Sequence, residues 1–274
     1  MRNKLKPPTG KADLHIHSDW SDGSLSIPRI VKIARALGID AISITDHDTT
    51  AGWEEARAEG KRQGLEIFPG IEVSAFDPDT GRKVHILGYG MADPETVETA
   101  CRPYLEDRQR ANQKALSLIR AAGYPLDEAD TLPYTGKGGI LYRQHIMHAL
   151  ADRGYATMIY GPLYRRLFGS GGIAVVKSRY MPVEEAVRLI VDCGGEAVLA
   201  HPFQYDSLGL LPRLVEWGLS GIEYRHHTQT PERIRLVRKQ AAQYGLFLTG
   251  GSDFHGLYAE KPIPLGKFHA ARPS

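Results

Sequence analysis

Residues 12–45 read ADLHIHSDWSDGSLSIPRIVKIARALGIDAISIT. Two short apolar stretches, 12–17 and 41–45, flank a segment whose apolar residues Ile27, Ile30, Val31, Ala34 and Leu37 recur at helical spacing. Ser26 stands as N-cap, Pro28 falls in the first turn, and Gly38 lies just past the end. That order predicts a strand, a crossover helix and a parallel strand. Further strands are expected at 67–73, 83–89, 197–200, 221–224 and 246–249. A helix carrying Val183, Val187 and Ile190 precedes the last three, and another runs from Thr230 and Pro231 to Gly245. Seven strands in two blocks, alternating with helices, predict one barrel-like α/β domain.

Residues 92–181 break the alternation. They hold a long helical stretch at 104–122, a Gly-rich turn at 135–140 and more helical signal at 142–153. This reads as a helical cap inserted between two barrel parts, 11–91 and 182–274, where a loop at the strand C-terminal ends has grown. The glycine cluster TGKGGI (135–140) lacks the leading glycine and the following Ser or Thr of a phosphate-binding P-loop.

The 274 residues, 42% of them apolar, suffice for a large core. No run reaches the roughly 18 apolar residues of a membrane span, and the start, MRNKLKPPTG, lacks a signal peptide's apolar stretch. A cytoplasmic protein with no membrane partner is expected. Cys101 and Cys193 sit far apart, so neither a disulfide framework nor a thiolate zinc site follows. A net charge of +2 argues against long nucleic acid as a partner. The charge is uneven: between 137 and 179 seven basic residues face one acid, Asp152. Such a segment suits a local anion site.

The chemistry is concentrated at strand ends. Strict alternation would put Asp13, His15 and His17 on one face of their strand and Leu14 and Ile16 on the other. Two imidazoles so placed can grip one ion, and Asp13 is positioned to hold a second ring nitrogen. SITDHDTT (43–50) ends in Asp46, His47 and Asp48, GIEVSA (70–75) places Glu72 inside a strand, and KVHILGYG (83–90) does the same with His85. AVLAHP (197–202) ends with His201 and LFLTGGSDFHG (246–256) with Asp253 and His255. In a barrel these ends converge on one rim. The donors are too many for one ion and contain no sulfur, which suits Mn, Zn or Fe. Glu72 could bridge two such ions, an arrangement that serves hydrolysis.

At DLHIHSDWSDG, SITDHDT, GIEVS, HILGYG, LAHP and GGSDFHG the chain resembles the PHP family, named for polymerase and histidinol phosphatase. All six segments occur in order. The resemblance implies a distorted seven-stranded (β/α)7 barrel with two or three divalent metal ions that hydrolyses phosphoesters. By motif, His15, His17, Glu72 and Asp253 would bind one ion, Glu72, His85 and His201 a second, and Asp22, His47 and His255 a third. Several members carry histidine where Asp22 stands. Asp13 and Asp46 would support the ligands from behind. Within the family the helical insertion resembles that of nucleoside 3',5'-bisphosphate and AMP phosphatases, whose Gly-Arg-Pro-His element corresponds to LYRQHIMHAL (141–150) here. Arg143 and His145 would then contact the phosphate and act beside Glu72 and Asp253 in catalysis. Lys177 of the basic segment would bind substrate, and so would Arg225 and His227 of GIEYRHHTQTPE (221–232), which with His226 could equally be rim residues.

The expected activity is hydrolysis of a phosphomonoester of a small metabolite, most naturally a nucleotide, by attack of a metal-bound hydroxide. A histidinol phosphate phosphatase or a short-oligonucleotide 5'-3' exonuclease would use the same site. Amidohydrolases also open with His-x-His, but they commonly bridge their ions with a lysine. A non-catalytic, metal-stabilised binding module would be marked by missing ligands.

Overall fold

The computed structural model describes residues 10–270; the first nine residues, and 271–274 at the end of the second barrel part, lie outside the described residues. The first part contains β1 (Ala12–Ile16), α1 (Ile27–Ala36), β2 (Ala41–Ile44), α2 (Trp53–Gln63), β3 (Glu66–Phe76) and β4 (Lys83–Tyr89). The helical region follows with α3 (Pro94–Ala121), α4 (Glu128–Thr131), α5 (Arg143–Asp152) and α6 (Pro162–Phe168). The rest is β5 (Met181–Pro182), α7 (Val183–Asp192), β6 (Glu196–Leu199), α8 (Leu211–Glu216), β7 (Gly221–Arg225), α9 (Pro231–Tyr244) and β8 (Phe247–Gly250).

Seven strands run in the order β1-β2-β3-β4-β6-β7-β8, and the two-residue β5 pairs with β3 alone. The ends nearly meet. Ile16 bridges Phe254, the His17 amide donates to the Phe254 carbonyl at 2.9 Å, and the Asp253 amide donates to the His15 carbonyl at 2.9 Å. The outcome is a nearly closed, distorted barrel in a mixed α/β fold.

One strand departs from the parallel pattern expected for residues 12–90. β4 is antiparallel to both β3 and β6. Only residues 77–82 separate β3 from β4, whereas a parallel crossover needs a dozen or more residues. The reversal serves the site, because the start of β4, with His85, lies at the rim where the parallel strands finish.

Inward and outward faces are cleanly divided. Outside, Ile71, Val73, Ile86, Leu199 and Ile222 pack beneath Val187, Ile190 and Val237 of α7 and α9. Inside, Leu14, Leu87, Tyr89, Val198 and Ala200 fill the barrel below the rim. A separate cluster fills the cap with Leu116 and Ile119 of α3, Ile146 and Leu150 of α5, and Leu167 of α6. The same helix α3 sends Val97 and Cys101 into the barrel's outer layer. It therefore ties cap to barrel. Among the described residues no helix is long and apolar enough to cross a membrane.

The β1–β8 seam depends on one glycine. A Cβ on Gly251 would land on the Cβ and backbone nitrogen of His15. Gly251→Ala is therefore expected to lower stability by about 1–3 kcal/mol, read as a reduced denaturation midpoint. An unchanged midpoint would show that the seam is looser than drawn.

Candidate metal centre

Alternation fails in β1, and the failure builds the site. The β1–β2 register shifts between Asp13 and Ile16. Leu14 points into the barrel, Ile16 packs outward against α1, and His15 and His17 both reach the rim. Asp13 is thereby turned away from the imidazoles, correcting the expected histidine contact. Its carboxylate accepts from the Ser252 amide (2.9 Å), the Ser252 hydroxyl (2.6 Å) and the Gly266 amide (2.6 Å). It fastens the end of β8 to β1.

Glu72 stands at the centre, ringed by five imidazoles. Its Oε1 lies 2.8 Å from both His85 Nδ1 and His201 Nε2. Its Oε2 lies 3.2, 3.1 and 3.4 Å from His15 Nε2, His17 Nε2 and His47 Nδ1. Asp253 Oδ1 lies 3.4 and 3.2 Å from the same nitrogens of His15 and His17, and its Oδ2 lies 3.2 Å from His226 Nε2. Asp22 Oδ1 lies 3.2 Å from His255 Nε2 and 3.5 Å from His17 Nδ1. Burial alone would push the Glu72 carboxyl up, but the charges of His15, His85 and His47 outweigh it and hold the group well below the carboxylate range.

These donors form overlapping groups, each with its ligand atoms within 4.8 Å of one another. They are His15, His17, Glu72 and Asp253; His47, Glu72 and His85; His17, Asp22, His47 and His255; and His226, His227 and Asp253. His15 Nε2 and both ring nitrogens of His17 are buried without a hydrogen-bond partner. Orphaned ring nitrogens among carboxylates fit divalent cations, whose bonds would replace the missing ones. The backbone is strained where it delivers these ligands: His201 (φ 21°), Asp253 (φ 53°) and Asp48 (φ 58°), next to His47, all have positive φ.

The surrounding carboxylates differ in task. Asp46 accepts from the Ser18 amide (2.7 Å), the Ser18 hydroxyl (2.6 Å) and the Ser21 hydroxyl, so it supports the loop carrying Asp22. The side chain that steadies His15 is Glu223, whose Oε1 lies 3.1 Å from His15 Nδ1 while its Oε2 accepts from the His201 amide at 2.8 Å. Sequence reading passed over Glu223, although GIE occurs twice, at 70–72 and 221–223, with the carboxylate inward each time. Glu223→Gln is expected to weaken ion binding about 10–100-fold, measured by competition with a chelator. Unaltered affinity would remove Glu223 from the support of the site.

Above the rim lies a pocket of about 470 Å³ bordered by Asp22, Glu72, Asp253, Gln144, Tyr160 and Tyr205, with His227, Thr228 and Lys261 at its edge. Four expected substrate contacts do not line it. Arg143 lies over the Phe168 ring, His145 is fully buried against Tyr142 and Tyr258, Arg225 lies over Tyr224, and Lys177 is exposed away from the pocket. Burial lowers the His145 imidazole to about 4 and keeps it neutral. Cap residues that do approach the ligands are Gln144, whose Nε2 donates to Asp22 Oδ2 at 2.8 Å, and Arg108 of α3. The Arg108 guanidinium donates to Asp48 Oδ2 (2.7 Å) and Ser74 Oγ (2.9 Å), and Ser74 Oγ lies 3.4 Å from His47 Nδ1.

Residues 13–157 match the model of the PHP domain. A phosphoribosyl 1,2-cyclic phosphate 1,2-diphosphodiesterase from Eggerthella lenta is 43% identical over 91% of this chain and 96% of its own length. A 3',5'-nucleoside bisphosphate phosphatase from Chromobacterium violaceum is 33% identical, covering 89% of this chain and 86% of the relative. A 5'-3' exoribonuclease from Haemophilus influenzae is 32% identical over 90% of each chain. Among solved structures, that of a Bifidobacterium adolescentis protein assigned as a metal-dependent phosphoesterase superposes with a TM-score of 0.87 at 28% identity, over 97% of this chain and 94% of the other.

Proposed function

The chain belongs to the PHP family of metal-dependent phosphoesterases, and on that premise we propose that it hydrolyses a cyclic phosphodiester of a small phosphorylated sugar. The observation that carries the hydrolytic reading is Glu72 ringed by five imidazoles on the floor of a pocket. The choice of substrate is supported by 43% identity to the cyclic phosphate diesterase, against 33% and 32% to the nucleotide phosphatase and the exoribonuclease.

In this reading His15, His17, Glu72 and Asp253 hold one ion, Glu72, His85 and His201 a second, and Asp22, His47 and His255 a third, with Mn, Zn or Fe as the metals. Bound ions supply Lewis acidity and an activated water. The chain's own groups do the rest. Glu223 fixes the tautomer and direction of His15, and Lys261 draws the substrate's anionic groups to the pocket mouth. His227 and Thr228 line the side beside Asp253, where a ring nitrogen can carry a proton to a departing alkoxide. A pocket of about 470 Å³ suits a single small molecule.

A nucleotide phosphomonoesterase is the second reading, favoured by Tyr160, Tyr205 and Tyr258 around the pocket, which offer faces to a base. Parallel assays on the metal-loaded protein separate the two. Phosphoribosyl 1,2-cyclic phosphate, AMP, a nucleoside 3',5'-bisphosphate, histidinol phosphate and a short oligoribonucleotide would be compared by kcat/KM. The proposal expects the cyclic ester to lead by about tenfold or more, with a value in the ordinary enzyme range near 10⁴ M⁻¹s⁻¹ or above. Preference for a bisphosphate or an oligonucleotide would overturn it.

A further inference from the structure

The cap element that resembles a phosphate-binding motif places its two basic residues away from the pocket and the residue between them, Gln144, against the metal centre. Gln144 occupies the second position of α5 and is buried, as is Asp22. Its Nε2 donates to Asp22 Oδ2 at 2.8 Å. The other oxygen of Asp22, Oδ1, faces His255 Nε2 and His17 Nδ1. The two oxygens thus have separate partners, one toward the ring nitrogens and one toward the cap.

Both sides of this contact are held in place. On the barrel side, Asp46 clamps the Asp22 loop through Ser18 and Ser21. On the cap side, the residue preceding Tyr142 is gripped twice by α3: Gln109 Oε1 accepts from the Leu141 amide at 2.7 Å, and Asn112 Nδ2 donates to the Leu141 carbonyl at 2.7 Å. The start of α5 is therefore set by the helix that ties cap to barrel.

We infer that Gln144 is a positioning residue through which the cap orients Asp22, so that the ion gathered by Asp22, His47 and His255 binds tightly only when the cap is docked. The inference rests on the reading of that donor group as an ion site. A carboxylate fixed through one oxygen presents the other in a single direction. Freed from Gln144 it could rotate, and the third ion would lose part of its ligand set. The ligand sets read for the other two ions contain neither Asp22 nor any contact with Gln144, and His17 of the first set faces Asp22 through Nδ1 while its Nε2 faces Glu72 and Asp253, so those ions should keep their affinity.

The test is equilibrium dialysis of the metal-stripped full chain against Mn²⁺, with Gln144→Leu beside the unaltered protein. The expected result is two sites of unchanged affinity and a third weakened about 10–100-fold, at an unchanged melting temperature. Asp22→Ala should weaken the third site at least as much, and Gln144→Leu added to it should weaken that site no further. Equal affinities at every site in Gln144→Leu, a uniform loss at all sites, a fall in melting temperature without a selective loss, or an unaltered protein holding only two ions would each overturn the inference. Phosphoester turnover by the unaltered, loaded protein is scored separately. Its absence would overturn the proposed function whatever Gln144→Leu binds.

Discussion

Glu72→Gln is expected to lower turnover of the preferred phosphate ester by about 10³-fold or more while the protein still folds. The substitution keeps shape and volume but removes the one charge facing five imidazoles, with oxygens 2.8 Å from His85 and His201 and 3.1 to 3.4 Å from His15, His17 and His47. An amide offers one neutral oxygen where two ions would share a carboxylate. Several kcal/mol of charge stabilisation are at stake, and each 1.36 kcal/mol is a factor of ten. Folding should survive because Glu72 lies on a strand paired on both sides, with β2 and β4. The checks are kcat, metal content and the far-ultraviolet circular dichroism spectrum. Turnover within tenfold of the parent, with the ions retained, would contradict the role given to Glu72.

Arg108→Met should produce the largest loss of stability among surface-to-site contacts, about 3–5 kcal/mol. Arg108 is mostly buried, and its partner Asp48, at φ 58°, is almost fully so. Removing the guanidinium leaves a carboxylate in the interior with, among the described residues, only the Ser74 amide, at 2.7 Å, as partner. The Arg108 contact with Ser74, which reaches on to His47, is lost as well. A denaturant titration reads the loss directly. Adding Asp48→Asn should restore much of it, because the uncompensated charge goes, and a single variant within about 1 kcal/mol of the parent would refute the assignment.

The strands were legible because short apolar runs are bounded by turn residues and punctuated by His and Asp at their ends. The helices were legible through caps such as Gly245, which has the left-handed conformation at the end of α9. The direction of β4 followed from the brevity of residues 77–82, a signal overridden by the alternation on either side. In β1 the regular period of two misdirected Asp13, since a register shift is a property of the paired strands and not of either alone. Glu223 carried the same mark as Glu72, an acid inside an apolar strand, but it stands just before Arg225, His226 and His227, which give a stronger signal for substrate contact. The cap residues were hardest. The motif points to α5, but which of three neighbouring side chains reaches Asp22 depends on the rotation of α5, and that is set by Gln109 and Asn112 on α3.

The most direct test of the central claim is phosphate-ester turnover measured alongside bound metal, before and after chelation and again after reloading. Two or three divalent ions per chain, with turnover lost on stripping and regained on return of the metal, is the predicted result. Full turnover by a chain stripped of its ions would contradict it.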